Sequence, residues 1–228
     1  MNKDIDLISE LFTQAINNHQ ENNFQVATEL YKKIIKISPN HINANNNLGV
    51  LYQTLGDFQK AKSCFEKVIE INPNYINAHY NLGIVYEKLK ENLKAISCFE
   101  KAIEIDPNYI NAHYNLGIAF NETGEKQKAI SCYEKVIKIN PNHFESLNNL
   151  GVLYQTLEDY HKALGCFKRA IEINPDFNGA LLNIANTYIK ELNDFKKAIS
   201  ASNKVLKIHH KNSKFINQSV PLFRLKHD

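Results

Sequence analysis

Prolines at positions 39, 73, 107, 141 and 175 stand 34 residues apart without exception, and Pro221 alone falls outside the series. Proline lacks the N–H that a continuing helix needs, and it pushes its predecessor out of the helical region. A fixed period of this length is the mark of a repeat architecture. Counted from Ile42, the units are 42–75, 76–109, 110–143 and 144–177, with divergent copies at 8–41 and 178–211 and a further segment at 212–228. Residues recur in register. Asn-Leu-Gly stands at 47–49, 81–83, 115–117 and 149–151, followed by Tyr52, Tyr86, Phe120 and Tyr154. Later in each unit come Ala61, Ala95, Ala129 and Ala163, then Phe65, Phe99, Tyr133 and Phe167.

Each unit reads as two antiparallel helices. In the unit from Ile42, the residues Leu48, Gly49 and Tyr52 share one helical face, and Ala61, Phe65, Val68 and Ile69 form the matching stripe on a second helix. Gly56 between them suits the left-handed conformation that ends a helix, and Asp57 is placed to cap the next. Glycine inside a helix costs about 1 kcal/mol relative to alanine. Its recurrence at Gly49, Gly83, Gly117 and Gly151 leads us to expect a second helix backbone approaching closely there. Residues 46–55 recur unchanged at 148–157, and Ile-Asn-Ala-His-Tyr-Asn-Leu-Gly-Ile opens both 76–109 and 110–143, so the array grew by duplication.

Over residues 8–211 this pattern resembles the tetratricopeptide repeat, and in particular the repeat superhelix of O-linked N-acetylglucosamine transferases and of bacterial multi-domain proteins. The usual Trp at the fourth residue of the unit is replaced by Asn45, His79, His113 and Leu147. The resemblance implies an all-α fold, a right-handed α-solenoid of stacked helix pairs whose first helices line a concave groove. It also implies a protein or peptide ligand in that groove.

Setting the packing stripe aside leaves the second, fifth, sixth, ninth and thirteenth residues of each unit facing such a groove. The sixth is Asn47, Asn81, Asn115, Asn149 and Asn183. The second adds Asn43, Asn77 and Asn111, and the fifth brings Asn46, Asn148, Tyr80 and Tyr114. A side-chain amide can meet the C=O and the N–H of one peptide group together. Helices about 8–10 Å apart and an extended chain of about 3.3–3.6 Å per residue would bring every third ligand residue to a rung. The resemblance implies an asparagine ladder of this kind. The plain alternative is a solvated polar face copied by duplication, because 31 of the 228 residues are Asn. Against it, the thirteenth position has drifted to Thr54, Lys88, Glu122, Thr156 and Lys190 while the sixth has not. A clamp for a C-terminal carboxylate would need cations where this chain has Asn77, Asn115, Asn46 and Tyr80.

Other patterns resemble chemistry and are read as structure. Cys64, Cys98, Cys132 and Cys166 are again 34 apart, too far for disulfides between equivalent positions, and read as small packing residues. His79 and His113 read as packing within the repeat, and His209-His210 as loop. No phosphate loop, nucleophile elbow or zinc motif is present, so neither catalysis nor a cofactor or metal is expected. The opening residues carry Lys3, Asp4 and Asp6 where a leader would be apolar, and no run is long enough to span a membrane; a cytoplasmic protein is expected. Residues 178–228 hold nine Lys or Arg against three acids, an excess that reads as an exposed helix face and not as a nucleic-acid site. The segment Phe215 to Asp228 reads either as a cap or as the start of a following domain. The functional expectation is an interaction scaffold; the alternative is the substrate-recruiting arm of a glycosyltransferase, sulfotransferase or oxygenase.

Overall fold

The computed structural model describes residues 2–190, 196–200 and 203. Among these there is no strand. The chain runs through α1 (Asn2–Gln20), α2 (Phe24–Ile37), α3 (Ile42–Thr54), α4 (Phe58–Ile71), α5 (Ile76–Lys88), α6 (Asn92–Ile105), α7 (Ile110–Glu122), α8 (Lys126–Ile139), α9 (Phe144–Thr156), α10 (Tyr160–Ile173) and α11 (Asn178–Lys190). This is an all-α solenoid of helix pairs, and each unit counted from Ile42 opens on the first residue of an odd-numbered helix. The first pair departs from that frame, because α1 begins at Asn2, ahead of residue 8. Most of the final unit beyond Lys190, the His209-His210 pair and the tail from Phe215 lie outside the described residues.

Two compact units are present, residues 1–129 and 130–228. In the first, α1 to α7 pack in succession as far as the α6–α7 contact, and the first helices α3, α5 and α7 also touch in succession. In the second, α9, α10 and α11 pack on one another. Every substantial contact among these helices joins elements at most two apart in the chain.

Local chemistry sets each boundary. Asn22, Gly56, Lys90, Gly124 and Glu158 all take left-handed conformations with φ between 62° and 84° at the end of a first helix. In the turn after α3 the Asp57 N–H bonds back to the Tyr52 carbonyl at 2.9 Å, which closes a Schellman-type cap. The Asp57 and Asp159 carboxylates then accept the amides of Lys60 and Lys162 at the start of α4 and α10, as the sequence indicates for Asp57. At the proline turns the side chains of Asn72, Asp106, Asn140 and Asn174 accept the backbone N–H two residues on, at 2.9–3.3 Å. These Asx turns hold the chain while it reverses.

The fourth residue of the unit fastens this turn to the helix that follows. Asn45 Nδ2 donates to the Pro39 carbonyl at 3.1 Å, and His79 and His113 donate through Nε2 to the carbonyls of Pro73 and Pro107 at 2.8 and 3.0 Å. Leu147 has no donor, and Arg169 of α10 reaches the Pro141 carbonyl instead at 3.1 Å.

The interior of three of the pairs is built on one contact. Phe65, Phe99 and Phe167 are fully buried. A Cβ placed on Gly49, Gly83 or Gly151 would come within 2.7, 2.4 or 2.5 Å of the ring of Phe65, Phe99 or Phe167 respectively. The close approach expected at these glycines is real, but an aromatic side chain makes it and not a helix backbone. A phenyl ring needs the space a Cβ would fill.

A lysine column runs along the same pairs. Lys60, Lys94, Lys128, Lys162 and Lys197 lie 5.0–5.5 Å from the ring centres of Tyr52, Tyr86, Phe120, Tyr154 and Tyr188. The first four also pair with Asp57, Glu91, Glu125 and Asp159. Lys197, part of the basic excess of the last fifty residues, is thus seated on an aromatic ring.

One seam is under electrostatic load. Glu87 of α5 has a buried Oε1 with no hydrogen-bond partner, and burial, together with the nearby Glu122 carboxylate of α7, pushes its pKa up to about 7. Asn92 donates to Glu122 at 3.1 Å, which tethers the second acid across the seam.

Three outcomes follow from this packing. Gly83→Ala should destabilise by about 1–3 kcal/mol through overpacking. In a thermal double-mutant cycle with Phe99→Leu, the pair should couple and part of the loss should be recovered. Lys90→Gly and Glu158→Gly should each stabilise by about 0.5–1 kcal/mol by relieving the left-handed strain, whereas Gly56→Ala should lower the melting temperature. Glu87 has a folded pKa above its ordinary 4.5, so its ionisation opposes folding. The penalty is absent below about pH 4.5, grows as pH rises to about 7 and is complete above it. Glu87→Gln should therefore raise the melting temperature at pH 8 and leave it unchanged near pH 4.

Candidate functional site

The candidate residues lie on the first helices, which succeed one another side by side within each unit. In the first unit α3, α5 and α7 carry Asn47, Asn81 and Asn115 at the sixth position, and in the second α9 and α11 carry Asn149 and Asn183. All five are half-buried, whereas Asn43, Asn77 and Asn111 are exposed one turn earlier. Tyr80 and Tyr114 are half-buried. Asn46, expected on the same face, is buried, with 8% of its surface exposed.

These side chains are not a row of equivalent free amides. Asn115 Nδ2 donates to the Tyr80 hydroxyl at 3.1 Å, joining α7 to α5. Asn183 Nδ2 donates to Asn148 Oδ1 at 2.9 Å, joining α11 to α9 in the same way. The bond in both cases runs from the sixth residue of one repeat to the fifth residue of the repeat before. Asn47 donates to the Tyr31 hydroxyl at 3.4 Å and accepts from Asn46 at 3.3 Å. Asn149 accepts from Asn148 at 3.4 Å.

Asn81 is the exception. Its expected fifth-position partner is Asn46, but the Asn46 Oδ1 is buried and has no hydrogen-bond partner, and no bond joins the two residues. The Asn46 Oδ1 is closed off from solvent, so it is the half-buried Asn81 amide that is left without the tie Asn115 and Asn183 make. Spacing marks the sixth position as special, but which amides are already engaged depends on whether the preceding fifth residue is Tyr or Asn and on its rotamer.

Aromatic packing holds Tyr80 in place. Its ring lies 6.0 Å from Phe99 and 5.2 Å from Tyr109, and burial is the chief cause that raises its hydroxyl pKa. Along the same helix, seven residues on, stands Glu87. At the positions where a carboxylate clamp would place cations, the face presents Asn46, Asn77, Tyr80 and Asn115.

The remaining expected constellations are structural. The four cysteines are free thiols, and burial pushes Cys64, Cys98 and Cys166 up to about 11, which leaves almost no thiolate near neutrality. His79 and His113 are buried and spent on the proline carbonyls. Among the described residues no group of three His, Cys, Asp or Glu is placed to hold a metal ion, and no helix is long and apolar enough to cross a membrane.

The tetratricopeptide-repeat family model matches residues 40–108 and 74–142, with related models of the same description at 144–177 and 179–209. A search of the curated proteins returned no match. Among solved structures, MamA is 28% identical with a TM-score of 0.69, over 71% of this chain and 94% of that one. YrrB, described as a TPR protein with an unusual peptide-binding site, is 27% identical with a TM-score of 0.67, over 75% of this chain and 88% of that one. PilF of Pseudomonas aeruginosa, at 17% identity, shares the fold with a TM-score of 0.78 over 99% of this chain and 100% of that one. With these models covering most of a chain built of 34-residue helix pairs, the chain belongs to the tetratricopeptide-repeat family.

Proposed function

We propose that this protein is an interaction scaffold that holds an extended polypeptide against its first-helix face, gripping the ligand backbone through the sixth-position asparagines. The observation that carries the reading is the half-buried Asn81 amide, left unbonded between Asn47 and Asn115, which are already engaged. The Asn81 side chain alone carries an acceptor and two donors, the complement of one peptide group. The peptide-binding site of the similar protein YrrB supports the class of ligand. The closed rungs have a second role, since Asn115 and Asn183 tie neighbouring first helices together and keep the face rigid. Their remaining amide valences, with Asn149 and the exposed Asn43, Asn77 and Asn111, extend the same polar face within each unit. Tyr80 and Tyr114 supply flat apolar surface beside it. The uncharged Asn46, Asn77, Tyr80 and Asn115 at the positions a carboxylate clamp would fill with cations, with the Glu87 and Glu122 carboxylates nearby, disfavour an acidic C-terminal tail as ligand. No reaction is assigned to the chain, and recruitment for a larger enzyme would use the same face.

The test is an array of unrelated peptides of about a dozen residues. Asn81→Ala should weaken the peptides that bind by about 2- to 10-fold, the worth of one net hydrogen bond. The loss should be similar across sequences, with melting temperature unchanged. Asn115→Ala should instead lower the melting temperature, because it cuts the tie to Tyr80. A binding profile identical to that of the wild type after Asn81→Ala would show that the asparagines are only a polar surface.

A further inference from the structure

A second site lies between α8, α9 and α10, apart from the asparagine face. It is a cavity of about 590 Å³, within the roughly 300–1,000 Å³ of small-molecule sites. None of the groove asparagines lines it. Its floor is apolar, formed by Ile137, Leu147, Leu150 and the Tyr154 ring, and its rim carries Lys138, Lys162, Arg169 and Glu134.

Comparison between repeats shows that this cavity is made by residues particular to its place. Gly165 stands where the other full repeats have Ser63, Ser97 and Ser131. A glycine inside a helix costs about 1 kcal/mol relative to alanine. At Gly49, Gly83 and Gly151 an aromatic ring explains that cost, but a Cβ on Gly165 would meet nothing within 4 Å. No packing requires the missing side chain; it opens the cavity. Leu147 replaces the Asn or His that elsewhere fastens the proline carbonyl, adding apolar floor. Arg169, in place of Lys67, Lys101 and Lys135, takes over that carbonyl and leaves further N–H donors at the rim. Lys138 stands where the other full repeats have Glu70, Glu104 and Glu172.

The charge change has one direction. At the positions equivalent to Glu134, Lys138, Lys162 and Arg169, the two preceding frames hold two acids and two bases: Glu66, Glu70, Lys94 and Lys101, then Glu100, Glu104, Lys128 and Lys135. Here three bases face one acid. Glu134 accepts the Tyr154 hydroxyl at 3.2 Å and Lys162 pairs with Asp159 at 2.8 Å, so both are partly spent. Lys138 and the remaining guanidinium donors of Arg169 are left to meet an anion.

We infer that this cavity is a binding site for a small apolar carboxylate, whose hydrocarbon body lies on Leu147, Leu150 and Ile137 over Gly165 and whose charged head meets Lys138 and Arg169. Decanoate is the probe, titrated below its micellar range into the full, ¹⁵N-labelled chain, with decanol as the neutral comparator. Saturable shifts are expected at the amides of Gly165, Cys166, Leu150 and Lys138, with decanol binding more weakly. Lys138→Glu, which restores the residue of the other repeats, should weaken decanoate about tenfold and leave decanol unaffected. Gly165→Leu should abolish binding while the melting temperature holds or rises, since it fills the cavity and removes a helix-interior glycine. The inference is overturned if no saturable shifts occur, if decanol binds as tightly as decanoate, or if Gly165→Leu binds like the wild type. It is equally overturned if shifts gather at Asn81 and Asn115 instead, or if only a peptide with an apolar C-terminus binds and decanoate does not.

Discussion

The structure depends on a phenyl ring lying against a helical glycine. In three of the repeats the ring of Phe65, Phe99 or Phe167 occupies the volume that a side chain on Gly49, Gly83 or Gly151 would need. This sets how closely the two helices of a pair approach, and so fixes the angle at which the pair offers its outer faces to its neighbours. The remaining devices act on a geometry already settled. Left-handed residues turn the chain, and Asx turns and proline carbonyls return it. Since the contact lies within a repeat, each of these three units carries the same instruction for its own helix pair.

Much of this was legible in the residues. The proline period gave the repeat, Gly56 and Asp57 gave the turn and its cap, and the frame from Ile42 opens each helix pair where the structure does. The partner of the helical glycines was misread, because a missing Cβ announces a close approach but not which atoms make it. The lysine column escaped notice for a different reason. Each lysine taken alone is an ordinary solvated charge, and only the fold brings it over an aromatic ring eight or nine positions earlier in the chain.

The asparagine face shows the same limit at the level of function. Recurrence at the sixth position marked Asn47, Asn81, Asn115, Asn149 and Asn183 as a set. In the folded chain they differ, since a tyrosine hydroxyl or a neighbouring amide already claims part of Asn47, Asn115 and Asn183. Duplication copies a residue, but its hydrogen bonds depend on neighbours that later drift. Around Gly165 the drift has gone further, and Leu147, Lys138 and Arg169 have changed together about one cavity.

The packing described for the helices joins elements no more than two apart. Among the described residues no strand or crossover sews distant parts of the chain together, so mechanical load applied along the first unit meets no shared clamp there. Each interface would give way in turn at a similar and modest force, and the yielded length would refold one pair at a time on a template still standing beside it. A scaffold so built absorbs tension as a string of small extensions and does not fail at a single breaking point.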